Sequence, residues 1–351
     1  MRFAVIGAGW SARNVHLPGF RAAGADVVAI CDVNEAPANV LAAKFAIPKV
    51  YTDWREMIER EKPDSVSICL PNVLHREPTL FALASGAHVL CEKPLATSVA
   101  EAREMFDAAA KAGRTLMAGQ SWRFEAGSRA IRRVVDAGEL GEIYYGEATA
   151  LRRMGIPAWG QFHQKQYSHG GALLDVGVHM LDLAVWLMNN PDPVRVSAQT
   201  AAKFGQRPEI ARMFRGAWDP QKFDVEDFAV ALVHFANGAT LLLRTSWATH
   251  IEAERFNVRV LGTEAGVTTV PPVVHRNREG IPADEQLRVV PSSHYEREMA
   301  HWVRVVAGEQ KPIVTPEETM NVQRIIDAAY RSAAEGREVA VEPSETRLGE
   351  L

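Results

Sequence analysis

At 351 residues the chain exceeds the length at which one hydrophobic core keeps growing, so two domains are expected. Hydrophobic residues make up 47% and charged residues 23%, a balance that excludes a disordered or fibrous chain. A formal net charge of -4 with no Lys/Arg block gives no electrostatic footprint for nucleic acid or an anionic membrane, which leaves a small molecule as the expected partner.

The opening residues, MRFAVIGAGW, run straight into an apolar strand and a glycine turn, unlike a secretory leader. No apolar run is read as reaching the roughly 18 residues that cross a bilayer, and cytoplasmic residence is expected. Strand and helix signals then alternate: RFAVIGAG, a helix to about Ala23, DVVAICDV, a helix over PANVLAAKF, DSVSICLP, a helix over HREPTLFALASG, HVLCEKP, the helix SVAEAREMFDAAAKAG and the strand TLMAGQS. Short β-branched runs separated by amphipathic helices predict a doubly wound parallel sheet, an α/β Rossmann domain over residues 1–121.

After Trp122 the rhythm changes. A helix over GSRAIRRVVDAG, the strand EIYYGEATALRR, a polar and aromatic loop and the helix ALLDVGVHMLDLAVWLM lead into the long strands VRVSAQTAAKF, DFAVALVHF, ATLLLRTSWAT and RFNVRVLGT. Asn237-Gly238 between two of them is a hairpin signal. Residues 122–351 are therefore expected to form an α+β domain with a large, mostly antiparallel open sheet, closed by the helices HYEREMAHWVRVVAG and ETMNVQRIIDAAYRSAAEG. Both faces of DFAVALVHF and ATLLLRTSW read as apolar, so helices should cover one side and a partner subunit could cover the other. Cys31, Cys69 and Cys91 lie at or near the ends of apolar strands and read as reduced core residues rather than a disulfide or metal set.

Gly7, Gly9 and Ala12 form G-x-G-x-x-A between a strand and a helix. Gly7 permits the tight turn, Gly9 lets backbone approach a pyrophosphate, and Ala12 allows close helix packing, with Trp10 and Ser11 inside the turn. Asp32 ends the second strand. It is placed to accept hydrogen bonds from a ribose diol and to repel a 2′-phosphate, favouring NAD over NADP, or else to cap a turn. Leu70, Asn72, His75, Glu92, Lys93 and Gln120 follow later strand ends, the rim on which open parallel sheets bind ligands. Asn72 reads equally as a helix cap, and His75 as an early-helix surface residue.

Taking a hydride from a carbinol requires a base for its proton. Lys93, in the rim loop before Pro94, is one candidate, the alternative being a surface lysine, and its bond to Pro94 could be cis. Asp175 and His179 lie at i and i+4 of an otherwise apolar helix, a spacing that fits a proton-handling pair, a structural pair or a fragment of a metal site.

With AVIGAG, CDVN, PNVLH, CEKPLA, QSWRF, GGALLDVGVHMLDL, VEDFAVALVHFANGA and YRSAAEGREV, the chain resembles the glucose-fructose oxidoreductase and inositol dehydrogenase (Gfo/Idh/MocA) family over nearly its whole length. The resemblance implies an NAD(P)-dependent oxidoreductase acting on a secondary alcohol or ketone of a sugar, sugar derivative or cyclitol, assembled as a homodimer or homotetramer through the sheet of the second domain. It makes Lys93, Asp175 and His179 the catalytic set, with no metal. It also leaves Arg123, Arg152, Trp159, Gln161, Phe162, His163, Tyr167 and His169 in the stretches where substrate contacts vary. Two alternatives stay open: glycoside cleavage or epimerisation through transient oxidation by retained NAD, and a non-catalytic nucleotide-binding sensor.

Overall fold

The computed structural model describes residues 1–214, 216 and 218–343. They form two compact units, 1–124 with 293–316, and 125–292 with the segment from 317 onward.

The first unit is built on a six-stranded sheet of β1 (Arg2–Ile6), β2 (Asp26–Cys31), β3 (Lys49–Tyr51), β4 (Ser65–Ile68), β5 (His88–Glu92) and β6 (Leu116–Gly119), in the order β3-β2-β1-β4-β5-β6. Every pairing is parallel. This is the doubly wound order of a dinucleotide-binding sheet, with its ligand crevice beyond the carboxyl ends of the strands. β1 is almost wholly buried, which is why FAVI reads as a continuous apolar run; β4 is buried as completely, although Ser65 and Ser67 make its sequence alternate. Residues 293–316 belong to this unit, although the expected division at 121/122 assigned them to the second. The reason is packing. The helix His294–Val306 presents Met299 to Gly19, where a Cβ would lie 2.5 Å from Met299 Cγ, and Trp302 Nε1 donates to Ser65 Oγ at 2.9 Å.

The second unit carries a nine-stranded sheet of β7 (Ile143–Leu151), β8 (Pro193–Ala201), β9 (Phe228–Phe235), β10 (Thr240–Ser246), β11 (Arg255–Gly262), β12 (Ala265–Thr269), β13 (Pro272–Arg278), β14 (Ile281–Gln286) and β15 (Val339–Ala340). Its order is β14-β13-β12-β11-β7-β10-β9-β8-β15, antiparallel except where β10 lies parallel to β7. The Asn237-Gly238 turn joins β9 to β10 as expected, with Gly238 at φ +85 and Asn237 Oδ1 accepting from Ala239 N. The buried helix Val178–Leu187 packs on β7, β10 and β11. The opposite face of β9 and β10 is half-buried and more mixed than expected. Val230, Leu232 and Leu242 share it with Glu147, which pairs with Arg244 at 3.1 Å and Arg259 at 3.2 Å.

Residues 165–187 do pass a length and hydropathy test for a membrane span, contrary to the sequence reading, but 89% of the apolar window is buried inside this unit and His169 breaks the helix at φ +66. That is the position of a core helix.

Candidate active site

The glycine turn of the first unit is closed by backbone. Gly7 N donates to Cys31 O at 2.7 Å, Gly7 has φ +98, and a Cβ there would stand 2.3 Å from Cys69 O, so only glycine fits. At Gly9 nothing lies within 4 Å of an added Cβ, leaving open space against the backbone of the turn. Ala12 is fully buried in a wide helical turn, Ala12–His16, and Ser11 is half-buried while Trp10 is exposed. Asp32 serves the turn: Oδ2 accepts from Ala8 N at 2.7 Å and Oδ1 from Asn34 N at 2.8 Å. Each oxygen retains a lone pair, so this capping leaves its capacity to accept from a ribose diol.

Around the rim, β6 is followed by Gln120, 3% exposed, whose Oε1 is buried without a hydrogen-bond partner among the described residues. Buried amide oxygens are ordinarily satisfied, so an orphan facing a dinucleotide fold fits a group that binds later. A rigid glycine turn, free space at Gly9, a strand-end carboxylate and this orphan together fit NAD. Gly9→Ala is therefore expected to fold with an unchanged melting temperature yet weaken NAD binding at least about tenfold by occupying the pyrophosphate space, read by calorimetric titration; equal affinity would place the cofactor elsewhere.

Glu92 ends β5 and Lys93 follows it, both half-buried, and the Lys93-Pro94 peptide is cis. Glu92 Oε1 meets His16 Nε2 at 3.0 Å and Oε2 accepts from Lys93 N at 3.2 Å. Burial alone would push the Glu92 carboxyl up, but the His16 hydrogen bond and the charges of His16 and Lys93 hold it below the ordinary carboxylate value. Asn72 is buried at the start of a short 3-10 turn, Asn72–Leu74.

Two expected contacts are corrected. His75 is fully buried, with Nδ1 2.9 Å from Pro94 O and Nε2 2.9 Å from Leu70 O, so it ties two rim loops together instead of touching a cofactor. Burial pushes its imidazole below the usual value against the pull of those carbonyls. Arg123 is also fully buried and Nη1 donates to Ile313 O at 3.2 Å, so it anchors the returning segment of its own unit and is out of reach of substrate.

In the second unit Asp175 and His179 are half-buried on a segment whose other side chains are almost all buried. Asp175 sits in a wide turn, Leu173–Gly177, that runs into the helix Val178–Leu187; such widened turns recur at functional sites. Its Oδ2 accepts from Trp247 Nε1 at 2.8 Å and lies 3.7 Å from Arg152 Nη1, which also donates to Gly155 O at 2.9 Å. Trp159 is exposed and Phe162 half-buried in the adjoining loop, whereas His163 is buried, which lowers its pKa.

The sequence reading missed two buried acids: Glu226, which holds this segment, and its neighbour Asp227. Glu226 is 8% exposed; its carboxylate accepts from Gly171 N at 2.9 Å, Leu173 N at 2.9 Å and Tyr330 Oη at 2.9 Å. Burial raises its pKa, opposed by those donors. Asp227, fully buried, accepts from the N–H groups of Lys203, Phe204 and Gly205. Adjacent acids heading an apolar strand, VEDFAVALV, are the signal that pointed to them. No cluster of three metal-ligating side chains occurs among the described residues.

A six-stranded parallel sheet with a dinucleotide turn, followed by an open antiparallel-rich sheet, defines an NAD-binding oxidoreductase. The model of the oxidoreductase family with an NAD-binding Rossmann fold matches residues 1–120, and that of the family's C-terminal alpha/beta domain matches residues 132–341. The chain belongs to the Gfo/Idh/MocA oxidoreductase family. It is 37% identical to the D-glucoside 3-dehydrogenase of Escherichia coli over 342 residues, 97% of each chain, and 29% identical to the 1,5-anhydro-D-fructose reductase of Ensifer adhaerens, covering 97% of this chain and 98% of the relative. Among solved structures, GenD2 from gentamicin A biosynthesis in complex with NAD matches at TM-score 0.80 and 27% identity, over 98% of this chain and 97% of that one.

Proposed function

We propose that this chain is an NAD-dependent dehydrogenase, or reductase in the reverse direction, for a secondary alcohol of a sugar, sugar derivative or cyclitol, with D-glucosides the first substrates to try. The observation that carries this reading is that an open dinucleotide turn and the Lys93 loop stand on the same carboxyl-end rim of one parallel sheet. The names of the two curated relatives support the substrate class.

NAD, when bound, supplies the hydride acceptor. Gly7, Gly9, Ser11 and Ala12 hold its pyrophosphate, Asp32 its adenosine ribose, and Gln120 and Asn72 the nicotinamide side. Lys93 takes the hydroxyl proton of the substrate, and His179 is the second proton carrier. Asp175, fixed by Trp247 and beside Arg152, orients the substrate by accepting a hydrogen bond from a neighbouring hydroxyl. Trp159 and Phe162 offer aromatic faces to a polyhydroxylated ring.

The half-buried face of β9 and β10 fits association with a second copy, as homodimer or homotetramer. Sedimentation velocity at micromolar concentration should give at least a dimer, and a monomer would remove this element. Cytoplasmic residence fits three free, buried cysteines, whose thiols burial pushes up, Cys31 to about 12.

The test of the reaction is a panel of glucosides, free sugars, sugar acids and inositols assayed at 340 nm with NAD, and with NADP in parallel. NADH formation with at least one panel member, and preference for NAD through Asp32, are expected. Silence across the panel from protein that binds NAD would favour transient oxidation or a sensor.

A further inference from the structure

The reaction read above leaves one buried polar contact unused. His16 lies in the helical turn that follows the glycine motif, 1% exposed, with its ring edge toward Phe20. Its Nε2 meets Glu92 Oε1 at 3.0 Å, whereas Nδ1 is buried without a hydrogen-bond partner among the described residues. The Glu92 contact is thus the ring's one polar anchor. Glu92 in turn receives Lys93 N on its other oxygen. One continuous chain therefore runs from the helix that holds the cofactor turn, through His16 and Glu92, to the backbone of the residue that takes the proton.

We propose that His16 is a positioning residue for Lys93: by holding Glu92 it fixes the Lys93 loop against the cofactor-binding turn. An imidazole in this place gives little as packing that an apolar ring would not give better, because burying Nδ1 without a partner costs stability. Its retention in the interior is explained by the carboxylate it holds. Released from His16, Glu92 would turn toward the Lys93 ammonium one residue away, drawing the amine from its working position and holding its proton. Displacements of about 1 Å at a reacting group can cost on the order of a hundredfold in rate.

The inference rests on the dehydrogenase reading, and wild-type turnover on the panel tests that reading separately. Two variants test His16 itself. His16→Ala should lower kcat by about 10- to 100-fold at saturating NAD, with the NAD dissociation constant and melting temperature close to wild type. His16→Gln, whose side-chain amide can still donate to Glu92, should recover most of kcat. A second readout needs no turnover: the rate at which acetic anhydride labels the Lys93 amine in cofactor-free protein, followed by peptide mass spectrometry. It should fall at least about threefold in His16→Ala and return in His16→Gln, since an amine paired with a carboxylate is protonated and unreactive. If His16→Ala does not fold, His16→Leu, which fills the space but leaves Glu92 unheld, should show the same loss of kcat and of labelling at unchanged NAD affinity. Unchanged kcat and labelling, a loss of kcat that follows NAD affinity or melting temperature, or a glutamine that fails to restore either readout would overturn the proposal.

Discussion

Replacement of Lys93 by methionine is expected to lower kcat by about a thousandfold while leaving NAD affinity within about threefold, in line with the 10²–10⁴ typical of a positioned acid–base group. Methionine keeps the unbranched stem and much of the volume. The loop itself is held by groups the substitution does not remove: His75 on Pro94 O, and Glu92 on Lys93 N. Those contacts keep the rim in place, so the cofactor turn around Gly7 and Asp32 should bind as before. Rapid-mixing kinetics with saturating NAD, beside calorimetric titration of NAD, separates the two quantities. Equal loss of both would make Lys93 a structural residue of the rim.

The second large effect is on stability. Gly171→Ala places a Cβ 1.9 Å from Glu226 O, a backbone atom that cannot turn aside. The same backbone oxygen accepts from Ala172 N at 3.0 Å, and the Glu226 carboxylate accepts from Gly171 N, so relief of the clash must open the Glu226 staple at the start of the Asp175 segment. A cost of about 3 kcal/mol is expected, at the upper end for overpacking. It should appear as a fall of roughly 6–12 °C in the melting temperature of this unit, taking about 2–4 °C per kcal/mol for a domain of its size. Activity should fall with it even at temperatures where the protein is folded, because Asp175 lies in the turn that Gly171 admits. A melting temperature within 2 °C of wild type, on the same scale, would mean that the turn yields freely.

How much of this was legible in the sequence follows from which signals are local. β1 and β5 are buried on both faces and announce themselves as apolar runs, and the glycine turn and Asn237-Gly238 are set by the conformations only glycine reaches easily. β3 has only three residues, and the helix Trp54–Glu61 is mostly charged and barely two turns long, its apolar face reduced to Trp54, Met57 and Ile58, so neither was read. β12 to β14 are short, with many polar residues on partly exposed strands, and passed unread for the same reason. Residues 293–316 have an ordinary amphipathic pattern; nothing local says which unit the apolar face seeks, and contacts distant in sequence, Met299 on Gly19 and Trp302 on Ser65, decide it. The same limit governed the site. Residue type singled out Lys93, Asp175 and His179, whereas the burial of His75 and Arg123, and the pairing of His16 with Glu92, depend on contacts across long stretches of chain.

The most direct test of hydride transfer is a single-turnover experiment in which NAD-loaded protein, at a concentration above that of the added glucoside or inositol, is followed at 340 nm. The account predicts a rise in absorbance stoichiometric with substrate oxidised, lasting until a carbonyl acceptor is added and nearly absent in Lys93→Met. No rise with any member of the panel, from protein shown by titration to bind NAD, would contradict it, and a rise that decays without an added acceptor would replace it by transient oxidation within one turnover.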